Sequence, residues 1–210
     1  MQSGNGNIPK IIHQIWIGSV LPRPERWMNT WRDMHPGWQY KLWSDNNLPP
    51  LVNQAQFDRM PFYPGKADIL RYELLHKYGG VYVDADSECV APLTDDLLDN
   101  VGFAAHENEY VRPGLIGNSV IGAKAGCALM ASMIRRIAAL PSLASTASHD
   151  VWKVTGPLAF TRALGQDAHT GYRLYPSFWF YPEHYTGIHY TGTVDRCYAR
   201  QFWSSTKHAV

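Results

Sequence analysis

The sequence predicts an α/β fold, a sheet flanked by helices in a single domain, on three observations. From Gly65 to Tyr78, residues Ala67, Leu70, Leu74, Leu75 and Tyr78 recur at helical spacing, and Gly79 supplies the C-terminal stop. The apolar run Val81-Tyr82-Val83 begins almost at once, and a helix feeding straight into a buried strand is α/β grammar. A second apolar run, Ile11 to Ile17, is closed by Gly18 and reads as a first strand.

The other elements follow in chain order. Met1 to Asn7 is polar and glycine-rich and reads as a disordered lead-in, which leaves 8–210 as the folded domain. Glu25 to Met34 makes a helix that stops before Pro36. Trp38 to Trp43 alternates apolar and polar, the pattern of a strand with one covered face, and Ser44 to Asn47 is turn chemistry. A short acidic helix is expected over 94–100, with strands at Val101 to Ala105 and Leu115 to Ala123. Helices are expected at Cys127 to Leu140 and near Leu158 to Leu164. The aromatic remainder is strand-like at Tyr172 to Tyr175, Phe178 to Tyr181 and Ile188 to Tyr190, and its Tyr, His and Gly content suits loops that close over a site.

Composition narrows the function classes. Lys and Arg number 19 against 18 Asp and Glu, so no net field draws the chain to nucleic acid or to a membrane surface. No apolar run approaches the length of a membrane span. Cys89, Cys127 and Cys197 are odd in number and lack metal-type spacing, which points to a reduced, cytoplasmic setting. With 8 Trp, 12 Tyr and 7 Phe the chain is aromatic-rich. Most of these rings belong in a core, and a minority can serve as flat platforms for a sugar or a nucleobase.

The chemistry centres on Gly79-Gly80-Val81-Tyr82-Val83-Asp84-Ala85-Asp86. A buried strand that delivers two carboxylates to its own C-terminal end is a seat for a hard divalent cation, which wants oxygen ligands and leaves positions for phosphates. A surface turn rich in acids is the plainer account, and the apolar lead stands against it. Asp68 and Arg71 lie one helical turn apart; alone they read as a surface ion pair. Their helix runs into the Asp-x-Asp strand, so Arg71 can reach a phosphate and Asp68 a sugar hydroxyl. Trp16 ends the first strand, where ligands bind in open α/β sheets, and can be core or a base-stacking platform. His189 is a late candidate for a metal or phosphate contact if the C-terminal segment folds back over the sheet.

Three blocks in order, Ile8-Pro9-Lys10-Ile11-Ile12-His13-Gln14-Ile15-Trp16, Lys66-Ala67-Asp68-Ile69-Leu70-Arg71-Tyr72 and Gly79 to Asp86, resemble glycosyltransferase family 32, of Och1-like mannosyltransferase and capsular-polysaccharide type. The likeness extends through Val90-Ala91-Pro92-Leu93 and Gly117-Asn118-Ser119 to Thr155-Gly156-Pro157. It implies a GT-A fold, a Rossmann-like mixed sheet flanked by helices, a nucleotide-sugar donor with UDP favoured, Mn²⁺ or Mg²⁺, and retention of anomeric configuration. Carried over by position, it implies that Asp86 binds the metal directly and that Asp84 holds ribose or sugar, or the metal through water. Asp68, Arg71 and Tyr72 fall on the donor side, Trp16 near the base and Asn118 in the sugar pocket. His189 falls near the metal or diphosphate. The Ser-Trp that the family carries after this histidine is replaced by Thr193-Val194.

The implied reaction passes a glycosyl group to a glycan, glycolipid or protein hydroxyl; retention can come from same-face attack or from a covalent intermediate, and with no carboxylate that must be the nucleophile the sequence favours same-face attack. A haloacid-dehalogenase-like phosphatase shares the strand and Asp-x-Asp, but has Thr or Val where Glu88 stands and opens on the motif. A non-catalytic carbohydrate-binding protein fits the aromatic content but has no need of Asp68, Arg71 and Asp86 together.

Overall fold

The computed structural model describes residues 7–18, 22–166 and 171–204. The lead-in expected at the N-terminus lies outside these residues, apart from Asn7. Six strands form one sheet: β1 (Ile11–Ile15), β2 (Gln39–Trp43), β3 (Gly80–Val83), β5 (Gly102–Ala105), β6 (Val120–Ala123) and β7 (Tyr172–Tyr175). Their order is β2-β1-β3-β6-β5-β7. β1, β2 and β3 are parallel, β6 runs antiparallel to both β3 and β5, and β7 is parallel to β5. The sheet is therefore mixed, with β6 against the rest. A small antiparallel pair, β4 (Ser87–Cys89) with β8 (Ala199–Gln201), stands apart from it.

Helices α1 (Glu25–Asp33), α2 (Gln54–Arg59), α3 (Tyr63–Tyr78), α4 (Asp95–Leu98), α5 (Ala128–Ala138), α6 (Val151–Val154) and α7 (Pro157–Gln166) complete the described elements. Two apolar cores cover the sheet. One gathers α3, α5 and α7 residues around Tyr82 and Ile121; the other holds Val81, Val83, Phe103 and Trp31. Successive strand side chains point to opposite faces, so Tyr82 goes to the α3 core while Val81 and Val83 go to the other. No helix of the described residues is long and apolar enough to cross a membrane.

The α3–β3 junction needs its glycines. Gly79 has φ +63° and a Cβ there would lie 2.6 Å from the Ala125 nitrogen. Gly80 has φ +104° and would meet the Ile11 carbonyl oxygen at 2.6 Å. Only glycine reaches both backbone states without strain while letting β3 slide against β1. α3 is not a striped surface helix as its pattern suggested, because Asp68, Arg71 and Glu73 are buried along with its apolar residues. Glu73 accepts from the Val52 and Asn53 N–H groups, both at 2.7 Å, and so ties α3 to the start of α2.

The C-terminal third departs from the expected strands. Phe178 to Tyr181 forms a 3₁₀ turn over Ser177–Trp179, and Ile188 to Tyr190 is extended only as one bridge between His189 and Glu183. Pro176 and Pro182 have no N–H to give a ladder, and the rings pack by stacking instead, Phe178 on Tyr190 at 4.4 Å and Tyr175 on Trp179 at 4.3 Å. The strand expected from Leu115 shrinks to β6, leaving Gly117 to Ser119 as its irregular approach.

Candidate active site

Two elements deliver the polar node at the C-terminal end of β3. Pleating puts Asp84 on the same face as Tyr82, whose hydroxyl donates to Asp84 Oδ1 at 2.6 Å. That face looks onto α3. Arg71 reaches across with Nη2 at 3.4 Å from Asp84 Oδ1 and 3.2 Å from Asp68 Oδ1. Its Nη1 donates to the Asn118 carbonyl at 2.5 Å and its Nε to the Ala67 carbonyl at 3.3 Å, while the guanidinium lies 4.3 Å from the Tyr82 ring centre. Asp68 accepts from Asn118 Nδ2 at 2.8 Å and from the Thr155 hydroxyl at 2.9 Å. Asp68 and Arg71 are both 5 % exposed, so the surface ion pair is ruled out. Burial pushes the Asp68 carboxyl up to about 6, against the opposing pull of Arg71, Thr155 and Asn118.

Beyond Asp84 the chain turns, with the Ser87 N–H on the Asp84 carbonyl at 3.1 Å, and Asp86 is placed behind it. Gln201 of β8 spans the two acids: its Nε2 donates to Asp86 Oδ1 at 2.7 Å and sits 3.4 Å from Asp84 Oδ2. The Ser204 N–H holds Asp86 Oδ2 at 2.6 Å. Burial and the neighbouring Asp84 raise the Asp86 carboxyl above its ordinary value. Gln201 Oε1 and Ser87 Oγ are buried without a hydrogen-bond partner. Two close carboxylates and an unpartnered amide oxygen form a hard-oxygen donor set, which suits Mg²⁺ or Mn²⁺. Among the described residues no third His, Cys, Asp or Glu joins them.

These groups open on a cleft of about 280 Å³ lined by Asp68, Arg71, Asp84, Asn118, Gln201 and Trp203, among others. Its remaining wall was not legible in the sequence. Glu107 and Arg112, on the segment after β5, stand 3.6 Å apart, and His184 Nε2 lies 3.2 Å from Glu107 Oε1. Arg112 donates to the Tyr185 hydroxyl at 2.7 Å, and its guanidinium lies 4.8 Å from the Trp152 ring centre.

Residues 23–104 match the glycosyltransferase sugar-binding region containing a DXD motif, and that segment carries Asp68, Arg71, Asp84 and Asp86. Over that segment the chain is similar to this glycosyltransferase family. Inositol phosphoceramide mannosyltransferase 3 of Schizosaccharomyces pombe is 34 % identical over 142 residues, 62 % of this chain and 37 % of that protein. Inositol phosphoceramide mannosyltransferase 1 of the same yeast is 38 % identical over 116 residues, 50 % of this chain and 35 % of that protein. The chain thus spans little more than a third of these relatives' length. The PaToxG glycosyltransferase shares the GT-A fold, with a TM-score of 0.57 at 19 % identity over 77 % of this chain and 70 % of that one.

Within the structure the expected residues part into two groups. Asp68, Arg71, Asp84 and Asn118 line the cleft together; Asp86 adjoins Asp84 from behind it. Tyr72 is fully buried beneath, its hydroxyl donating to the Thr155 carbonyl at 2.9 Å, and supports Asn118 rather than meeting a ligand. Trp16 is half-buried at the β1 end and does not line the cleft. His189 is the correction: it is exposed, bridged to Glu183 and outside both the cleft lining and the carboxylate pair. The histidine buried beside this wall is His184, held by Glu107 and Thr186. Trp203 and Ser204 reach the site where a Ser-Trp was expected near His189, and Phe202-Trp203-Ser204 is the signal that could have located them.

Proposed function

We propose that this chain transfers a hexosyl group, mannose first among the candidates, from a nucleoside diphosphate to a glycan or glycolipid hydroxyl, with a divalent cation at Asp84 and Asp86 and with retention. The observation that carries the reading is the closed node of Asp68, Arg71, Asp84 and Asn118 on the cleft at the end of β3, with Asp86 and Gln201 adjoining. Mannose follows the names of the yeast relatives. Uridine is the proposed base.

Negative charge builds on the diphosphate as the C1–O bond breaks. Mg²⁺ or Mn²⁺, when bound, supplies Lewis-acid stabilisation of that charge. Arg71 fixes both acids and the Asn118 and Ala67 carbonyls, and the one Nη1 N–H left over is available to a phosphate or sugar oxygen. Asp68 and Asn118 orient sugar hydroxyls, since a carboxylate has lone pairs beyond the two already engaged. Trp152, Tyr185 and Trp203 exclude water, a competing acceptor. Glu107 is the other carboxylate lining the cleft; Arg112 and His184 engage it, which favours same-face attack over a covalent intermediate.

A thermal-shift screen of UDP- and GDP-linked hexoses with Mn²⁺ tests the reading. One nucleotide sugar raises the midpoint, and removing Mn²⁺ abolishes the rise. No stabilisation by any member, with or without metal, refutes it.

A further inference from the structure

Two guanidinium groups line the cleft, and they are in different electrostatic states. Arg71 is 6 % exposed at its side chain, faces two carboxylates and spends three nitrogens on partners inside the protein. Arg112 is 34 % exposed at its side chain and has one carboxylate, Glu107, at 3.6 Å, which His184 shares. Arg112 is also held rigidly. Its backbone N–H donates to the Asn108 carbonyl at 3.2 Å, its carbonyl accepts from the Leu115 N–H at 3.0 Å, and the Glu107 N–H closes the loop on the Leu115 carbonyl at 2.9 Å. The fork lies against Trp152 and Tyr185 and is bonded to the Tyr185 hydroxyl. A planar guanidinium pre-set on aromatic faces, with donors left over and its charge only half answered, is suited to phosphate.

We propose that Arg112, with Trp152 and Tyr185, is a phosphate-binding subsite of the cleft, and that the phosphate belongs to the acceptor. The diphosphate of the donor has its own place at the Asp84–Asp86 pair. From Arg112 a run of contacts leads to that pair: the Tyr185 hydroxyl it donates to, the Trp203 ring 5.8 Å from the Tyr185 ring, and Ser204, next in the chain, whose N–H holds Asp86. An acceptor carrying a phosphodiester beside its reactive hydroxyl meets Arg112 while the hydroxyl enters the cleft. The assignment rests on the transferase reading for the word acceptor; the phosphate site itself does not.

The test is calorimetric titration with myo-inositol 1-phosphate, with uncharged myo-inositol as control, and separately with UDP or GDP plus Mn²⁺. The wild type binds the inositol phosphate and not inositol, and added NaCl weakens that binding. Arg112→Gln loses about tenfold or more of this affinity, the range expected of a charged hydrogen bond, while nucleotide affinity stays as it was. Arg112→Lys, which keeps the charge without the fork, falls between. A loss confined to the nucleotide assigns the phosphate to the donor and overturns the proposal. Unchanged affinity for both probes, or no wild-type binding of inositol phosphate, overturns it too. If Arg112→Gln does not fold, Arg112→Lys and the salt dependence of the wild type decide. Inositol phosphate binding in a protein that turns over no nucleotide sugar would refute the transferase reading and leave the phosphate site standing.

Discussion

The α3–β3 side of the cleft is regular, buried and closed on itself, whereas the side built from residues 107–112 and 182–204 is irregular and leans on stacked rings. On the first, Arg71 joins two acids from two elements, and Tyr72, Tyr82, Thr155 and Asn118 fill in the remaining bonds. On the second, Tyr185, His184 and Trp203 meet ring to ring, and β8 supplies three residues of regular structure. The proposed transfer needs both. A diphosphate and its metal require fixed charges, which a buried node provides. An acceptor must enter and a product leave, which a wall with few backbone bonds permits.

Arg71 gives the largest effect that separates the two sides. Arg71→Met leaves Asp68 and Asp84 without their cation, and Asp68 fully inside the protein. We expect a stability loss of about 3–5 kcal/mol by denaturant titration. Arg112→Met, on the open side, leaves Glu107 with His184 still beside it and costs less, about 1–2 kcal/mol in the same measurement. Equal losses would erase the distinction.

The pH dependence of Asp68 comes next. Its carboxyl is raised to about 6 in the folded protein from 3.8. The folded state therefore binds this proton more tightly than the unfolded chain does. The associated stability is full below about pH 4 and is lost as pH rises through about 6, a change on the order of 3 kcal/mol. Stability measured from pH 4 to 7 in metal-free protein should fall more steeply in the wild type than in Asp68→Asn. Parallel profiles would place Asp68 in water.

The smallest effect lies where the two sides meet. Gln201→Ala removes the amide between Asp84 and Asp86 and costs about 1 kcal/mol without metal. Gln201 Oε1 also belongs to the oxygen donor set, so the variant binds Mn²⁺ more weakly and its gap to wild type widens at saturating Mn²⁺. A loss that Mn²⁺ leaves untouched would mean that Gln201 serves the β4–β8 pair alone.

The same contrast explains what could be read from the sequence. The α3 side was legible because its determinants are local: a helical repeat, a glycine pair with positive φ, a β-branched run and acids two apart on one chain segment. Asp68, Arg71 and Asp84 were found for that reason. The degree of burial was not, since it depends on α6 and α7 packing over α3, contacts made about eighty residues further along the chain. The other side had no such signal. β8 is Ala-Arg-Gln and β4 is Ser-Glu-Cys, three residues each without alternation, and both exist because they pair with each other. His189 stands out in the sequence because its His-x-x-Gly block resembles a segment of the family. The structure instead buries His184 against Glu107, a partner 77 positions away. Glu107 and Arg112 lie in a loop whose shape is set by Asn108 and Leu115, and nothing in their spacing marks them as cleft residues.

The central claim is that the Asp84–Asp86 end of β3 binds the donor through a metal. The most direct measurement is release of nucleoside diphosphate from the stabilising nucleotide sugar, in wild type and Asp84→Asn, with Mn²⁺ and with chelator. The account predicts release by the wild type with Mn²⁺, a fall of a hundredfold or more in Asp84→Asn, and none of the remaining activity restored by metal. Wild-type rates in Asp84→Asn, or release indifferent to chelator, would contradict it.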